Sequence, residues 1–187
     1  MRMFVALVPP DDVVEDLDEF LDPRREHASF RWTAPEQVHL TLAFLPAVPD
    51  RALDDLTERL AIAASRRAPF AAQIAGGGAF PDPSRAKVLW AGLRADAASL
   101  AELERLAVGA RHAANASGVE VDGGRFRPHL TVARLGRPEE VTRWIRVLDS
   151  YSGPAWSVDR ISLIASHLGE GPRRRPRYEV VEEFALG

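Results

Sequence analysis

One pattern, His-Leu-Thr-x-Ala-x-Leu, occurs twice in this chain: at His39–Leu45 and again at His129–Leu135. The two histidines lie 90 positions apart (129 against 39) in 187 residues, one copy to each half, as an ancient duplication would leave them. That repeat constrains the fold more than any bulk property. In a strand, alternation puts His and Thr on one face and the two aliphatic residues beside them on the other. Two such strands brought together present two imidazoles and two hydroxyls to a shared cleft. The set suits a phosphate ester, with two acid/base groups flanked by two hydrogen-bond donors.

The surrounding sequence supports two α+β units. Residues 2–8 are an apolar strand stopped by Pro9-Pro10, and Asp11-Asp12 are placed to cap a helix over 12–21 with Val13, Val14, Leu17, Phe20 and Leu21 inside. Short strand 30–32 and a turn at 34–37 lead into motif strand 38–45. A helix follows from Asp50 to 65 (Leu53, Leu56, Leu60, Ile62), then strand 70–76, a glycine run Gly76–Gly78 read as a bulge or tight turn, the Phe80–Pro83 loop and strand 87–94. The second half repeats this order. It has a helix over 97–116 (Leu100, Leu103, Leu106, Ala110), motif strand 129–135, a break at Gly136-Arg137-Pro138 opening a helix to 149, and strands 156–168 and 178–185. Residues 169–176 form a basic turn. The expectation is a single domain, residues 1–187, of class α+β: two lobes related by a pseudo-twofold, with antiparallel sheets lining a central groove.

Composition narrows the partners. With no cysteine, disulfides and thiolate metal sites are excluded, and a reducing cytoplasm is compatible. Formal net charge is −3, whereas proteins that grip long nucleic acid by its backbone are usually basic. Any nucleic-acid partner is therefore held at an end or a single nucleotide. No apolar run approaches a membrane span, and the N-terminal run is too short for a signal peptide. The chain shows no coiled coil or long exposed apolar stripe, so a monomer is expected. Lys87 is the only lysine among 24 basic residues.

A lone histidine on a strand is usually structural, and His-x-Thr-x alone is weak because Thr favours strands. Repetition in equivalent surroundings makes His39 and His129 the candidates for proton transfer, and imidazole, with a pKa of about 6.5, suits that task near neutrality. Hydrolysing a cyclic phosphodiester takes a base for water and an acid for the leaving ribose oxygen. Thr41 and Thr131 are placed to donate to non-bridging oxygens. Two histidines without a neighbouring carboxylate make an incomplete metal site, so neither metal nor cofactor is expected. His27, His112 and His167 have no such context. Gly76–Gly78 is not a phosphate-binding P-loop, since no Gly-Lys-Ser/Thr follows. Arg173–Arg175 is most often a solvated turn; its minority reading is a patch that steers RNA beside the groove, helped by Arg177.

With these residues in view, the chain resembles the 2H phosphoesterase superfamily, and within it the bacterial and archaeal RNA 2′,3′-cyclic phosphodiesterases, historically called 2′-5′ RNA ligases. The likeness runs through Arg2–Leu7, Pro35–Leu45, Phe80-Pro81, Leu89–Leu93, Phe126–Arg134 and the Tyr178 strand. One departure is Pro46, where the family often has Gly. The resemblance implies that His39 and His129 are catalytic, His39 as acid and His129 as base, and that Thr41 and Thr131 bind phosphate. It further implies that Phe44 and Arg134 sandwich the terminal nucleobase, the partners being RNA ends or nucleoside 2′,3′-cyclic phosphates. The last point conflicts with ideal alternation, because a residue five positions from a histidine points to the opposite face. Either the strands bulge or twist, or the base sits past the sheet edge; core packing is the competing role for Phe44. Rival functions are the same chemistry on a cyclic phosphate of ADP-ribose, 2′-5′ joining, and a non-catalytic module that holds RNA ends.

Overall fold

The computed structural model describes all residues, 1–187, and its element order is β1 (Met3–Leu7), α1 (Asp11–Arg25), β2 (Arg31–Trp32), β3 (Leu40–Leu45), α2 (Leu53–Ser65), β4 (Phe70–Phe80), β5 (Ala86–Arg94), α3 (Ala97–Ala116), β6 (Leu130–Glu139), α4 (Thr142–Asp149), β7 (Trp156–Val158), β8 (Arg160–His167) and β9 (Arg177–Ala185). The strands lie in the order β7-β4-β5-β6-β3-β1-β8-β9, with β2 beside β6, and every pairing is antiparallel. The two motif strands are neighbours, joined through the pair Leu40↔Leu130. Around that seam the sheet divides into β3-β1-β8-β9 and β7-β4-β5-β6. These two parts of the sheet do not follow the halves of the chain, as the expected lobes would have done. One is built from both ends of the sequence and the other from its middle.

The core lies between the sheet and the helices. Val5 and Leu7 of β1, Leu40 and Leu42 of β3, and Leu130 and Val132 of β6 share it with Leu17, Leu56, Leu60, Leu103 and Leu106 from the helices. Strand β1 is buried on both faces, as a central strand should be: Phe4 and Ala6 form a smaller cluster with Ile164, against which Phe44 and Tyr178 pack. Leu100 and Ile62, expected in the helix stripes, are exposed instead, and Ala64 takes the inner place on α2.

Several boundaries differ from those read off the sequence. Asp11 and Asp12 sit inside the first turn of α1, with Pro10 at the N-cap; they favour the positive end of the helix dipole rather than capping by hydrogen bond. Strand β4 continues through the glycine run, which holds the expected bulge between Ile74 and Gly77. A Cβ at Gly78 would fall 2.2 Å from the Trp90 ring, so glycine there lets the indole lie against the strand. Strand β6 is not broken at Gly136-Arg137-Pro138. An irregular register between Arg134 and Glu139 accommodates Pro138, which has no N–H for the ladder. The expected strand 156–168 is two strands far apart in the sheet, because β7 leaves β4 at Val158 and β8 runs between β1 and β9, pairing with β1 from Ser162.

Candidate active site

Each motif strand carries the same defect at the same place. Val5 pairs with Ala43 and Ala6 with Thr41, leaving Leu42 as the extra residue of a bulge in β3. Leu89 pairs with Ala133 and Trp90 with Thr131, leaving Val132 as its counterpart in β6. Burial follows: Leu42 and Ala43 are both inside, as are Val132 and Ala133, while Phe44 and Arg134 emerge on the same side as Thr41 and Thr131. A bulge shifts the side-chain phase by one residue. That resolves the parity conflict. His39, Thr41 and Phe44 share one face, as do His129, Thr131 and Arg134, and all six line a single groove of about 350 Å³. Antiparallel register about Leu40↔Leu130 sets Thr131 opposite His39 and His129 opposite Thr41.

The two imidazoles are held alike. His39 Nδ1 donates to the Gln37 carbonyl at 2.7 Å, and His129 Nδ1 donates to the Arg127 carbonyl at 2.6 Å. A carbonyl only accepts, so in each neutral ring the proton is on Nδ1 and Nε2 is a lone pair. Nε2 of His39 lies 3.1 Å from the Thr41 hydroxyl, which donates to it. Behind each ring stands an aromatic wall. Phe4 stacks on His39 at 4.6 Å, with Tyr178 edge-on at 5.6 Å. Phe80 meets His129 edge-on at 4.8 Å, backed by Trp90. Burial against these walls pushes His39 down to about 4, aided by His129 and Arg134; burial and Arg134 also hold His129 below the ordinary imidazole range. Both rings are thus neutral near pH 7.

Phe44 is half-buried, and the Arg2 guanidinium lies 4.5 Å from its ring centre. Arg134 is exposed. The groove lining also holds Arg2, Arg31, Arg175, Ser166 and Tyr178, and neither aspartate nor glutamate. Of these, only Arg175 is weighed from sequence, as part of the Arg173–Arg175 turn whose minority reading is a patch beside the groove; the other four were not singled out as part of the site. Arg2 was within reach of the alternation rule, since it lies two residues before Phe4, just ahead of β1, and lines the same groove. Arg175 arrives from a distant turn; the basic run was visible, but nothing local showed which of its arginines enters the groove lining. The other histidines lie elsewhere: His167 is bound to Glu179 at 2.8 Å, and His27 and His112 are exposed. No group of three His, Cys, Asp or Glu side chains is arranged to hold a metal ion, and no helix is long and apolar enough to cross a membrane.

Residues 9–170 match the family described as the 2′-5′ RNA ligase superfamily. An RNA 2′,3′-cyclic phosphodiesterase of Thermus thermophilus is 33% identical over 100% of this chain and 90% of its own length. One of Geobacillus stearothermophilus is 30% identical over 98% of this chain, which spans only 56% of that longer relative. The crystal structure of E. coli LigT complexed with 3′-AMP superimposes with a TM-score of 0.78 at 26% identity, covering 99% of this chain and 97% of the other.

Proposed function

Since the chain belongs to the 2′-5′ RNA ligase superfamily, we propose that it hydrolyses terminal 2′,3′-cyclic phosphates of RNA or nucleotides to 2′-phosphates, using its two motif histidines and no metal. The observation that carries this reading is the matched pair of imidazoles in one groove with Thr41 and Thr131, each with Nδ1–H fixed by the carbonyl two residues earlier, so that Nε2 of each is the nitrogen left for proton transfer.

The cyclic diester sits with phosphorus between the rings. His129 Nε2 takes a proton from water as its oxygen attacks phosphorus; the P–O3′ bond breaks, and protonated His39 gives its proton to O3′. The product is a 2′-phosphate and a free 3′-hydroxyl. His129 then holds the proton that His39 has lost, and exchange with solvent resets both. Thr41 and Thr131 donate to the non-bridging oxygens as charge accumulates there. The bound phosphate anion raises both imidazoles and so creates the acid form that burial disfavours. Phe44 and Arg134, one bulge further along their strands, stack on opposite faces of the terminal base. Joining in a 2′-5′ linkage is the same displacement with a 5′-hydroxyl in place of water, P–O5′ forming as P–O3′ breaks, and in water, which competes as the nucleophile, it ranks as a side reaction. The proposed setting is the cytoplasm, and the working unit is a monomer.

The test is turnover of a nucleoside 2′,3′-cyclic phosphate with EDTA present, the product identified by phosphorus NMR. Undiminished conversion to the 2′-phosphate is expected. A rate lost to EDTA and restored by a divalent ion defeats the mechanism, and binding without turnover favours the non-catalytic module.

A further inference from the structure

The groove holds more positive charge than a cyclic phosphodiester needs. Arg2, Arg31, Arg134 and Arg175 line it, no carboxylate lines it with them, and none of the four forms an ion pair. The substrate's reacting phosphate carries a single negative charge, and the two threonines and two histidines already address it. Moreover, Arg31 and Arg134 are direct cross-strand partners in the β2–β6 ladder. Like charges in that position are destabilising unless an anion lies between or beside them.

Arg175 is fixed in place by unusual means. Its turn contains two successive non-glycine residues in the left-handed region, Arg173 (φ 55°) and Arg174 (φ 60°), a conformation that bulky residues rarely adopt and that costs energy. The turn is closed by the Gly171 N–H to the Arg175 carbonyl at 2.7 Å, and a Cβ at Gly171 would fall 2.5 Å from that oxygen. Gln37, just before the first motif, donates to the Pro176 carbonyl at 2.8 Å. The Arg175 guanidinium then reaches across the groove and donates to the Trp32 carbonyl at 2.8 Å, next to Arg31. One of its five N–H donors is used there, and the others remain for a ligand. Arg177, by contrast, is neutralised by Glu170 at 2.9 Å.

We propose that Arg175 and Arg31 form a second phosphate subsite, which takes the phosphate on the 5′ oxygen of the terminal nucleotide. In RNA this is the last internucleotide phosphate. The chain would then discriminate RNA ends, and 5′-phosphorylated nucleotides, from bare nucleoside cyclic phosphates. This rests on the function proposed above.

Three probes separate the two ideas: adenosine 2′,3′-cyclic phosphate, its 5′-phosphorylated form, and the dinucleotide ApA ending in a cyclic phosphate. Wild-type kcat/KM should be higher on the second and third probes than on the first by roughly 10-fold or more, the scale of a charge-assisted hydrogen bond. In Arg175→Gln that advantage should shrink toward unity, and Arg175→Lys should keep part of it. Because the readout is a ratio between substrates for one variant, partial misfolding does not imitate it. Equal wild-type rates on all three probes, or an advantage that survives intact in Arg175→Gln, overturn the subsite and leave the hydrolase reading standing. If the wild-type protein cleaves none of the probes, the hydrolase reading fails and the subsite falls with it.

Discussion

Replacing Phe44 separates recognition from packing. The ring is half-buried and packs against the small cluster of Phe4, Ala6 and Ile164, outside the main core. Truncating a fully buried Phe costs about 3–5 kcal/mol, so half that burial sets the loss in Phe44→Ala at about 2 kcal/mol. The exposed cation–π contact with Arg2 adds about 0.5–1 kcal/mol. For a chain of this size the sum lowers Tm by roughly 5–10 °C. Stacking on a base is worth about 1–3 kcal/mol, so KM for a nucleoside cyclic phosphate should rise by roughly 5- to 150-fold. Phe44→Leu sharpens the contrast, because leucine restores most of the apolar contact without an aromatic face. Its Tm should return to within a few degrees of wild type while its KM stays high. Thermal melts and initial-rate kinetics on the two variants suffice. A Leu variant with wild-type KM, or an Ala variant with a large fall in Tm and unchanged KM, refutes the stacking role and returns Phe44 to packing.

Ala at either His39 or His129 should lower turnover by roughly 10²–10⁴-fold with the fold retained by circular dichroism, and near-normal turnover in either variant defeats the two-histidine scheme. Because both imidazoles are lowered in the free protein and one must be protonated, kcat/KM should follow a bell whose maximum lies below the usual imidazole value of 6.5; a flat profile from pH 5 to 8, or a maximum above pH 8, contradicts this. The same shift bears on stability. Unfolded His39 takes up a proton near pH 6.5 and folded His39 only near pH 4, so stability present above pH 6.5 is lost as pH falls through that window. Between pH 7 and 5 wild type should lose about 2 kcal/mol more than His39→Gln in urea titrations, and equal losses would mean that His39 is not buried as described.

The chemistry was legible in the sequence and much of the geometry was not. Two copies of one short pattern identified the strands, and alternation alone placed each histidine with its threonine. Alternation also predicted the wrong face for Phe44 and Arg134, because a bulge leaves no reliable mark in a run of apolar residues such as Leu42-Ala43 or Val132-Ala133. The helices were visible by their periodicity, but their ends moved with local details: Pro10 in place of aspartate at the cap of α1, and strand β6 running on past Pro138. The split of 156–168 into two strands on different lobes depends on pairings with residues some 90 and 160 positions away, which no local window contains. The basic run holding Arg175 was visible, but the contact of that arginine was hidden for the same reason. Its partner, the Trp32 carbonyl, is 143 residues distant.

Leu40 and Leu130 are among the most deeply buried side chains in the protein, and their backbone pairing is the seam at which the two half-sheets meet. Each is also the residue next to a motif histidine. The spacing of the two proton-transfer groups is therefore governed from beneath, by how these leucines sit on the hydrophobic layer under the sheet. Trimming either one acts like loosening the pivot of a pair of tongs. Each jaw keeps its shape and its grip on the base, and the loss falls on the rate of bond breaking. Selection for speed in such a protein would be felt as selection on two greasy residues that never meet the substrate.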